Sequence, residues 1–214
     1  MYWDEQYKNN ARLWGETPSV LALAAVKYLQ EHKPPAEVPG ILDIGCGYGR
    51  DAFYLSEHLK CTVFGIDISE KAIEMAKKYC RQAPRVKFRR CGFTELTEGG
   101  FDIVFLSNFY QLLKKEERAG LLRTIRNVLK PNGLLFLSTL SNRDPEHFGK
   151  GIPVPNEKNS FIESVYLHFC EQSELEKDFS FLTIKELYEY EYFEPRATGE
   201  THHHISWILI GKKA

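Results

Sequence analysis

Along most of this chain, short apolar runs alternate with longer stretches whose apolar residues recur every three or four positions. The first kind reads as buried strand, the second as a helix with one buried face. The runs predict strands over Ile41–Ile44, Cys61–Ile66, Arg85–Arg90, Phe101–Leu106 and Leu134–Leu140. Between them the spacing predicts helices over Arg50–Lys60, from a cap at Ser69 to about Cys80, and over Lys115–Leu129. Gly92 to Gly100 carries no clear element, and Pro131-Asn132-Gly133 reads as a turn. Upstream, Thr17 and Pro18 read as N-cap and first-turn proline of a helix ending near His32, and Lys33–Gly40 breaks it. Downstream, Ser141 to about Asn159 is irregular, which in a compact domain marks a functional or disordered loop. Glu171–Phe179 reads as a helix. Phe181–Tyr192 and His204–Lys212 read as a hairpin around Glu194–Thr201.

Strand, helix and strand in repetition mean a parallel sheet with helices on both faces, and right-handed crossovers make it doubly wound α/β. At 214 residues one domain is expected over the whole chain. Three parts are expected within it: an N-terminal helical cap over 1–40, a core over 41–140, and a loop, helix and hairpin over 141–214.

Composition narrows the partners. A net charge of −1 gives no basic face for nucleic acid or an anionic membrane, so neither is expected. The basic run Arg85–Arg90 alternates with apolar residues and reads as the solvated face of a strand. The five cysteines are irregularly spaced with no C-x-x-C, which argues against disulfides or zinc and for a reducing, cytoplasmic setting. No apolar run approaches the ~18 residues that span a bilayer, and the N-terminus lacks a signal-peptide pattern.

The sharpest motif is Asp43-Ile44-Gly45-Cys46-Gly47-Tyr48-Gly49, at the junction of a strand and a helix. Glycines allow a tight turn and let a ligand lie against bare backbone. Asp67, in Phe64-Gly65-Ile66-Asp67-Ile68, ends the second strand 18 residues after Gly49. A carboxylate there can accept hydrogen bonds from both hydroxyls of a ribose. A pyrophosphate cofactor wants a third small residue at the sixth position of G-x-G-x-x-G, where this chain has Arg50. A carboxylate beside the glycines suits a cationic ligand better than an anionic one.

These residues resemble the first two motifs of the class I S-adenosylmethionine-dependent methyltransferases. Cys91–Leu96, Phe101–Leu113 and Leu129–Gly133 are similar to their later motifs, so the resemblance covers about residues 41–140. It implies a Rossmann-like, mostly parallel seven-stranded sheet with an antiparallel last strand. It implies S-adenosyl-L-methionine as cofactor and S-adenosyl-L-homocysteine as product. On the matched positions it assigns Asp43, Gly45, Cys46, Gly47, Tyr48, Gly49, Asp67, Ile68, Gly92, Phe93, Ser107 and Asn108 to the cofactor. Gly92 stands where the family commonly has an acidic residue facing the adenine, so here the Phe93 amide is the expected contact. Tyr2–Tyr7, Leu13–Ser19 and Gly199–Trp207 resemble small-molecule enzymes related to the tellurite-resistance and thiopurine groups, which implies a soft or otherwise small acceptor.

Methyl transfer from a sulfonium is an in-line displacement in which the enzyme chiefly aligns the nucleophile in a dry site. The expected antiparallel last strand brings His202, His203 and His204 to the mouth of the site, with His202 and His204 on one face and His203 on the other. They read either as a polar strand start or as a source of a general base; adjacent strand histidines do not converge, so no metal site is expected. Tyr110 is a further candidate beside Ser107 and Asn108, which otherwise cap the next helix. Trp3, Tyr7 and Trp14 read as packing residues or as a lid over the cofactor. Arg143, His147 and Lys150 read as acceptor contacts or as solvated loop. No Asn-Pro-Pro-Tyr or Asp-Pro-Pro-Tyr follows the fourth strand and no Pro-Cys pair occurs, which sets nucleic-acid methylation behind small molecules. A nucleic-acid or protein methyltransferase, a non-catalytic binding protein and a dinucleotide oxidoreductase stay open as alternatives, as does a monomer or homodimer.

Overall fold

The computed structural model describes residues 1–10, 13–79, 83–195 and 201–214. Five strands, β1 (Gly40–Ile44), β2 (Thr62–Asp67), β3 (Val86–Arg90), β4 (Phe101–Ser107) and β5 (Leu129–Leu140), run parallel. Three short strands, β6 (Ile152–Pro153), β7 (Ser160–Ile162) and β8 (Tyr166–His168), form a small antiparallel sheet of their own. β9 (Leu182–Pro195) and β10 (Thr201–Lys213) pair antiparallel, and β10 also lies antiparallel on β5. The large sheet has the order β3-β2-β1-β4-β5-β10-β9. Only β10 opposes the common direction, as the last strand of the implied fold does.

Alternation along the strands divides the core into two layers. Ile41, Ile103, Phe105, Phe136, Ile208 and Ile210 face α2 (Val20–Glu31), α3 (Arg50–His58) and α4 (Glu70–Tyr79). Leu42, Val104, Leu106, Leu137 and Leu209 face α5 (Lys115–Val128) and α6 (Gln172–Asp178). Residues one apart point to opposite faces of a strand. Continuous apolar runs such as Ile103–Leu106 are therefore what a sheet covered on both sides requires. The topological reversal between β1 and β4 opens a crevice at the carboxyl ends of these strands, the usual ligand position in such sheets.

Three expectations change. The cap of α2 is Ser19, whose Oγ accepts from the Ala22 N–H at 3.1 Å, rather than Thr17. Pro131-Asn132-Gly133 is a bulge inside β5 and not a turn ahead of it: Leu129 already pairs with Phe101, and the ladder resumes at Leu134 opposite Ile103. Asn132 supplies the left-handed backbone, at φ 64. The stretch after Ser141 is ordered by the β6–β8 sheet and buried polar contacts. Arg118, on α5, donates to the Leu113 carbonyl at 2.8 Å and to the Tyr166 hydroxyl at 2.9 Å. His168 is held at both nitrogens, by Ser160 Oγ at 2.8 Å and Glu174 Oε1 at 2.7 Å. Cys46, Cys61, Cys91 and Cys170 are buried free thiols; Cys80 and most of the β9–β10 turn lie outside the described residues. No helix among the described residues is long and apolar enough to cross a membrane.

Phe136 and Leu137 are fully buried on opposite faces of the central sheet. We expect Phe136→Ala to cost about 3–5 kcal/mol and Leu137→Ala about 2–5 kcal/mol in urea unfolding, because each empties a different, fully packed layer.

Candidate active site

The end of β1 is fastened onto the end of β2 by two hydrogen bonds to one carbonyl: Gly45 N–H and Cys46 N–H donate to Ile66 O at 2.8 and 3.0 Å. The chain can bend so tightly because Gly45, Gly47 and Gly49 all take positive φ, at 76, 54 and 81. Space demands glycine as well. A Cβ on Gly45 would lie 2.4 Å from the Phe109 ring, and one on Gly47 would lie 2.8 Å from the Tyr7 hydroxyl.

Asp67 ties the turn to the next helix. Its Oδ2 accepts from Gly47 N–H at 3.0 Å and its Oδ1 from Ser69 N–H at 2.8 Å. Ser69 then caps α4 through the Ala72 N–H at 3.1 Å. Each carboxylate oxygen retains a lone pair after one such bond, so Asp67 can accept from a ligand without releasing the turn.

Asp43 is buried, and its Oδ2 has no hydrogen-bond partner. Desolvation first, then the neighbouring Asp51 and Asp67, push its carboxyl well above the usual range. Burial raises Asp67 too, against the backbone donors that lower it. Among the described residues neither has a cationic partner. Ser107, at the end of the adjacent β4, also buries an Oγ with no partner. These orphaned atoms at the crevice fit a ligand that brings hydrogen-bond donors and positive charge.

The remaining candidates gather around this turn with different roles. Asn108 takes φ 51, and its amide and side chain are tied to Ser138. Ile68 is exposed on the rim beside Gly92. Gly92 N–H donates to Glu95 Oε2 at 2.8 Å, so an acidic side chain does stand at the third motif, three residues later than the family pattern places it. Phe93 packs edge-on against Phe109, an aromatic pair that the motif comparison missed. The signal available for it was the apolar run continuing past Ser107.

The N-terminal segment lies directly on the turn. Tyr7, from α1 (Tyr2–Asn9), is buried with Tyr48 and Ala72, and Trp3 packs against this group. Tyr48 donates to the Gly15 carbonyl at 2.5 Å, and Arg50 to the carbonyls of Trp14 and Thr17. Ser69 Oγ donates to Asp4 at 2.7 Å.

Tyr110 is a correction. A single turn of 3-10 helix rotates it inward, where it is fully buried and donates its hydroxyl to Asp178 Oδ2 at 2.6 Å. It is a packing residue beneath α6, not a group facing the crevice.

The histidine triplet divides as strand alternation requires. His203 stacks on Phe193 and pairs with Glu191 at 2.5 Å. His202 and His204 share the opposite face with His147, at ring separations of 6.4 Å (His147 to His202) and 5.5 Å (His147 to His204). His204 Nδ1 meets Asp144 Oδ2 at 3.1 Å, and His202 Nδ1 meets Glu146 Oε1 at 3.2 Å. The expectation that these histidines have no converging partner is overturned by His147, which comes from the loop after β5. Arg143 is taken by Glu189, and Lys150 lies 3.6 Å from Glu146.

Residues 41–133 match the family described as methyltransferase domain. A cypemycin N-terminal methyltransferase from Streptomyces is 33% identical over 126 residues, covering 58% of this chain and 49% of that protein. A ubiquinone biosynthesis O-methyltransferase from Albidiferax ferrireducens is 30% identical over 122 residues, covering 55% and 47%. The chain spans about half the length of the curated relatives it matches. A solved SAM-dependent methyltransferase from Methanosarcina mazei superposes with a TM-score of 0.71 at 22% identity, covering 86% of this chain and 96% of that one, a likeness of fold.

Two outcomes follow from this geometry. Tyr110→Phe should lower unfolding stability by about 1–3 kcal/mol, by leaving Asp178 short of a donor, while calorimetry finds ligand affinity at the glycine turn within twofold of the parent. Asp43→Asn should stabilise the ligand-free chain at pH 7 by about 1–3 kcal/mol. The sign follows from linkage: a raised folded-state pKa means stability lost as pH rises, so removing the charge restores it. The gain should shrink as urea unfolding is repeated at falling pH, where the parent folds with Asp43 protonated.

Proposed function

The chain belongs to the class I S-adenosylmethionine-dependent methyltransferases through residues 41–133, and from that premise we propose that it transfers a methyl group from S-adenosylmethionine to a small-molecule acceptor, releasing S-adenosylhomocysteine. The observation that carries the reading is the pair of carboxylates at the glycine turn, buried Asp43 and half-buried Asp67, neither of which has a cationic partner among the described residues. A pyrophosphate would add charge of the same sign. When bound, S-adenosylmethionine supplies a methyl group already activated on a sulfonium.

The chain's own residues then bind and orient. Asp67 accepts from the ribose hydroxyls while it keeps Gly47 and Ser69 in place. Gly45, Cys46, Gly47, Tyr48 and Gly49 give a backbone-lined wall, and Asp43 offsets positive charge from beneath it. Ile68, Gly92 and Phe93 flank the adenine. Ser107 and Asn108 shape the methionine end. α1 and the segment through Thr17 cover the turn and exclude water, which strengthens the electrostatics inside. This division makes residues 1–40 a cap, 41–140 the cofactor core and 141–214 the acceptor side of one domain.

A small acceptor is supported by the near-neutral charge and by relatives named for ubiquinone biosynthesis and for cypemycin. Within small molecules we place the acceptor among soft nucleophiles such as thiols and reduced chalcogen anions, which need no base.

Asp67→Asn should weaken donor binding by about 10- to 100-fold in calorimetry, the loss of charge-assisted hydrogen bonds worth about 1.5–3 kcal/mol. Labelled donor incubated with thiols, selenite, tellurite, halides, amines and carboxylates should give S-adenosylhomocysteine with at least one of them. Tight donor binding without turnover on any acceptor would instead identify a binding protein, and absence of donor binding would end the proposal.

A further inference from the structure

We propose that His147, His202 and His204 form a three-imidazole site for a divalent transition metal of the zinc class, where the carboxyl end of β5 meets the start of β10. One ligand atom from each lies within 4.8 Å of the others. Two distant parts of the chain meet to make this cluster, the loop after β5 and the start of β10. Asp144 joins them. Its Oδ1 accepts from the Glu146 and His147 amides at 3.1 and 2.8 Å, and its Oδ2 from the Ile205 amide at 3.0 Å. The loop is therefore held in register with the strand by backbone donors, and the rings are placed in advance of any ion.

The second shell points the same way. Two of the imidazoles have a carboxylate at Nδ1, Asp144 at 3.1 Å from His204 and Glu146 at 3.2 Å from His202; the buried Nδ1 of His147 has no hydrogen-bond partner, with Glu163 3.6 Å away. A carboxylate on Nδ1 places the proton there and the lone pair on Nε2, which is how metal-binding histidines are oriented in carboxylate–histidine–metal arrangements. A tetrahedral shell with Zn–N bonds of about 2.0–2.1 Å sets nitrogens about 3.3 Å apart. The ligand atoms stand within 4.8 Å of one another, and closing to that value requires His147 and His202, both only partly buried, to turn inward. Three protein nitrogens leave one position open to water or an anion, the pattern of catalytic rather than structural zinc. Imidazole donors select zinc, cobalt, nickel or copper over magnesium and calcium.

The other histidine cluster shows what a purely structural arrangement looks like. In His168, Cys170 and Glu174, both nitrogens of the histidine are hydrogen bonded, and the histidine and cysteine are buried against α6, which carries Glu174. A lone general base would need one oriented histidine; three imidazoles converging within 4.8 Å fit ligation better. If the methyl-transfer reading holds, the open position would hold an anionic acceptor atom at the same sheet edge.

The test uses tag-free full-length chain, stripped with a chelator and titrated with Co²⁺ in the absence of donor. We expect one equivalent to bind with a visible d–d band of tetrahedral strength, and Zn²⁺ to displace it. His147→Gln and His202→Gln should abolish the band with an unchanged melting temperature. Glu146→Gln should weaken binding by about 10- to 100-fold, and His203→Gln, on the opposite face, should leave it intact. No stoichiometric band, or a band that survives both His147→Gln and His202→Gln, overturns the proposal. Because the titration contains no donor, its failure leaves methyl transfer standing, and failure of methyl transfer leaves the metal site standing.

Discussion

The carbonyl of Ile66 is the point from which the site is built. By accepting from both Gly45 and Cys46 it bends the end of β1 across the end of β2. That bend brings Gly47 N–H to the carboxylate of Asp67, and Asp67 in turn holds the amide of Ser69 at the head of α4. One carbonyl and one carboxylate thus fix two strand ends and the start of a helix. The sheet order adds the rest: β1 and β4 diverge in the connections they feed, so the bent turn opens on a crevice rather than on a packed helix.

This arrangement puts negative charge where solvent is scarce. Asp43 and Asp67 are both raised by burial; Asp67 is offset by the Gly47 and Ser69 amides, whereas Asp43 keeps an Oδ2 with no partner, a cost that burial of a polar atom imposes. The fold sustains that cost because the surrounding strands are covered on both faces by continuous apolar layers. The N-terminal segment closes the third side. It spends hydrogen bonds from Tyr48, Arg50 and Ser69 on its own backbone and on Asp4, so the turn is walled before a ligand arrives.

What could be read in advance follows the range of the forces involved. Strand and helix alternation was legible from Ile41 to Leu140 because each element buries its own apolar pattern. The glycine turn was legible because positive φ and close approach leave few other residues possible. The three short strands were not, since two or three residues carry no periodicity and are held by Arg118, Tyr166 and His168, which meet only in the folded chain. Tyr110 misled for the same reason: it follows Asn108 in sequence, but one tight turn sends it into the core. The convergence of His147 on His202 and His204 depends on Asp144 bonding across 61 residues to Ile205, a contact no local pattern announces.

The carboxyl edge of the sheet is thereby divided into two chemical halves. Over β1 and β2 it offers carboxylates that lack positive charge; over β5 and β10 it offers imidazoles backed by carboxylates of their own. Charge of opposite sign is attracted in low dielectric far more strongly than in water. A sulfonium over the first half and an anion held over the second would be drawn toward each other across the short span of β4. Ser107 and Asn108 stand at the end of that strand, between the halves, so in the proposed reaction what they exclude or orient would decide which acceptor atom reaches the methyl group.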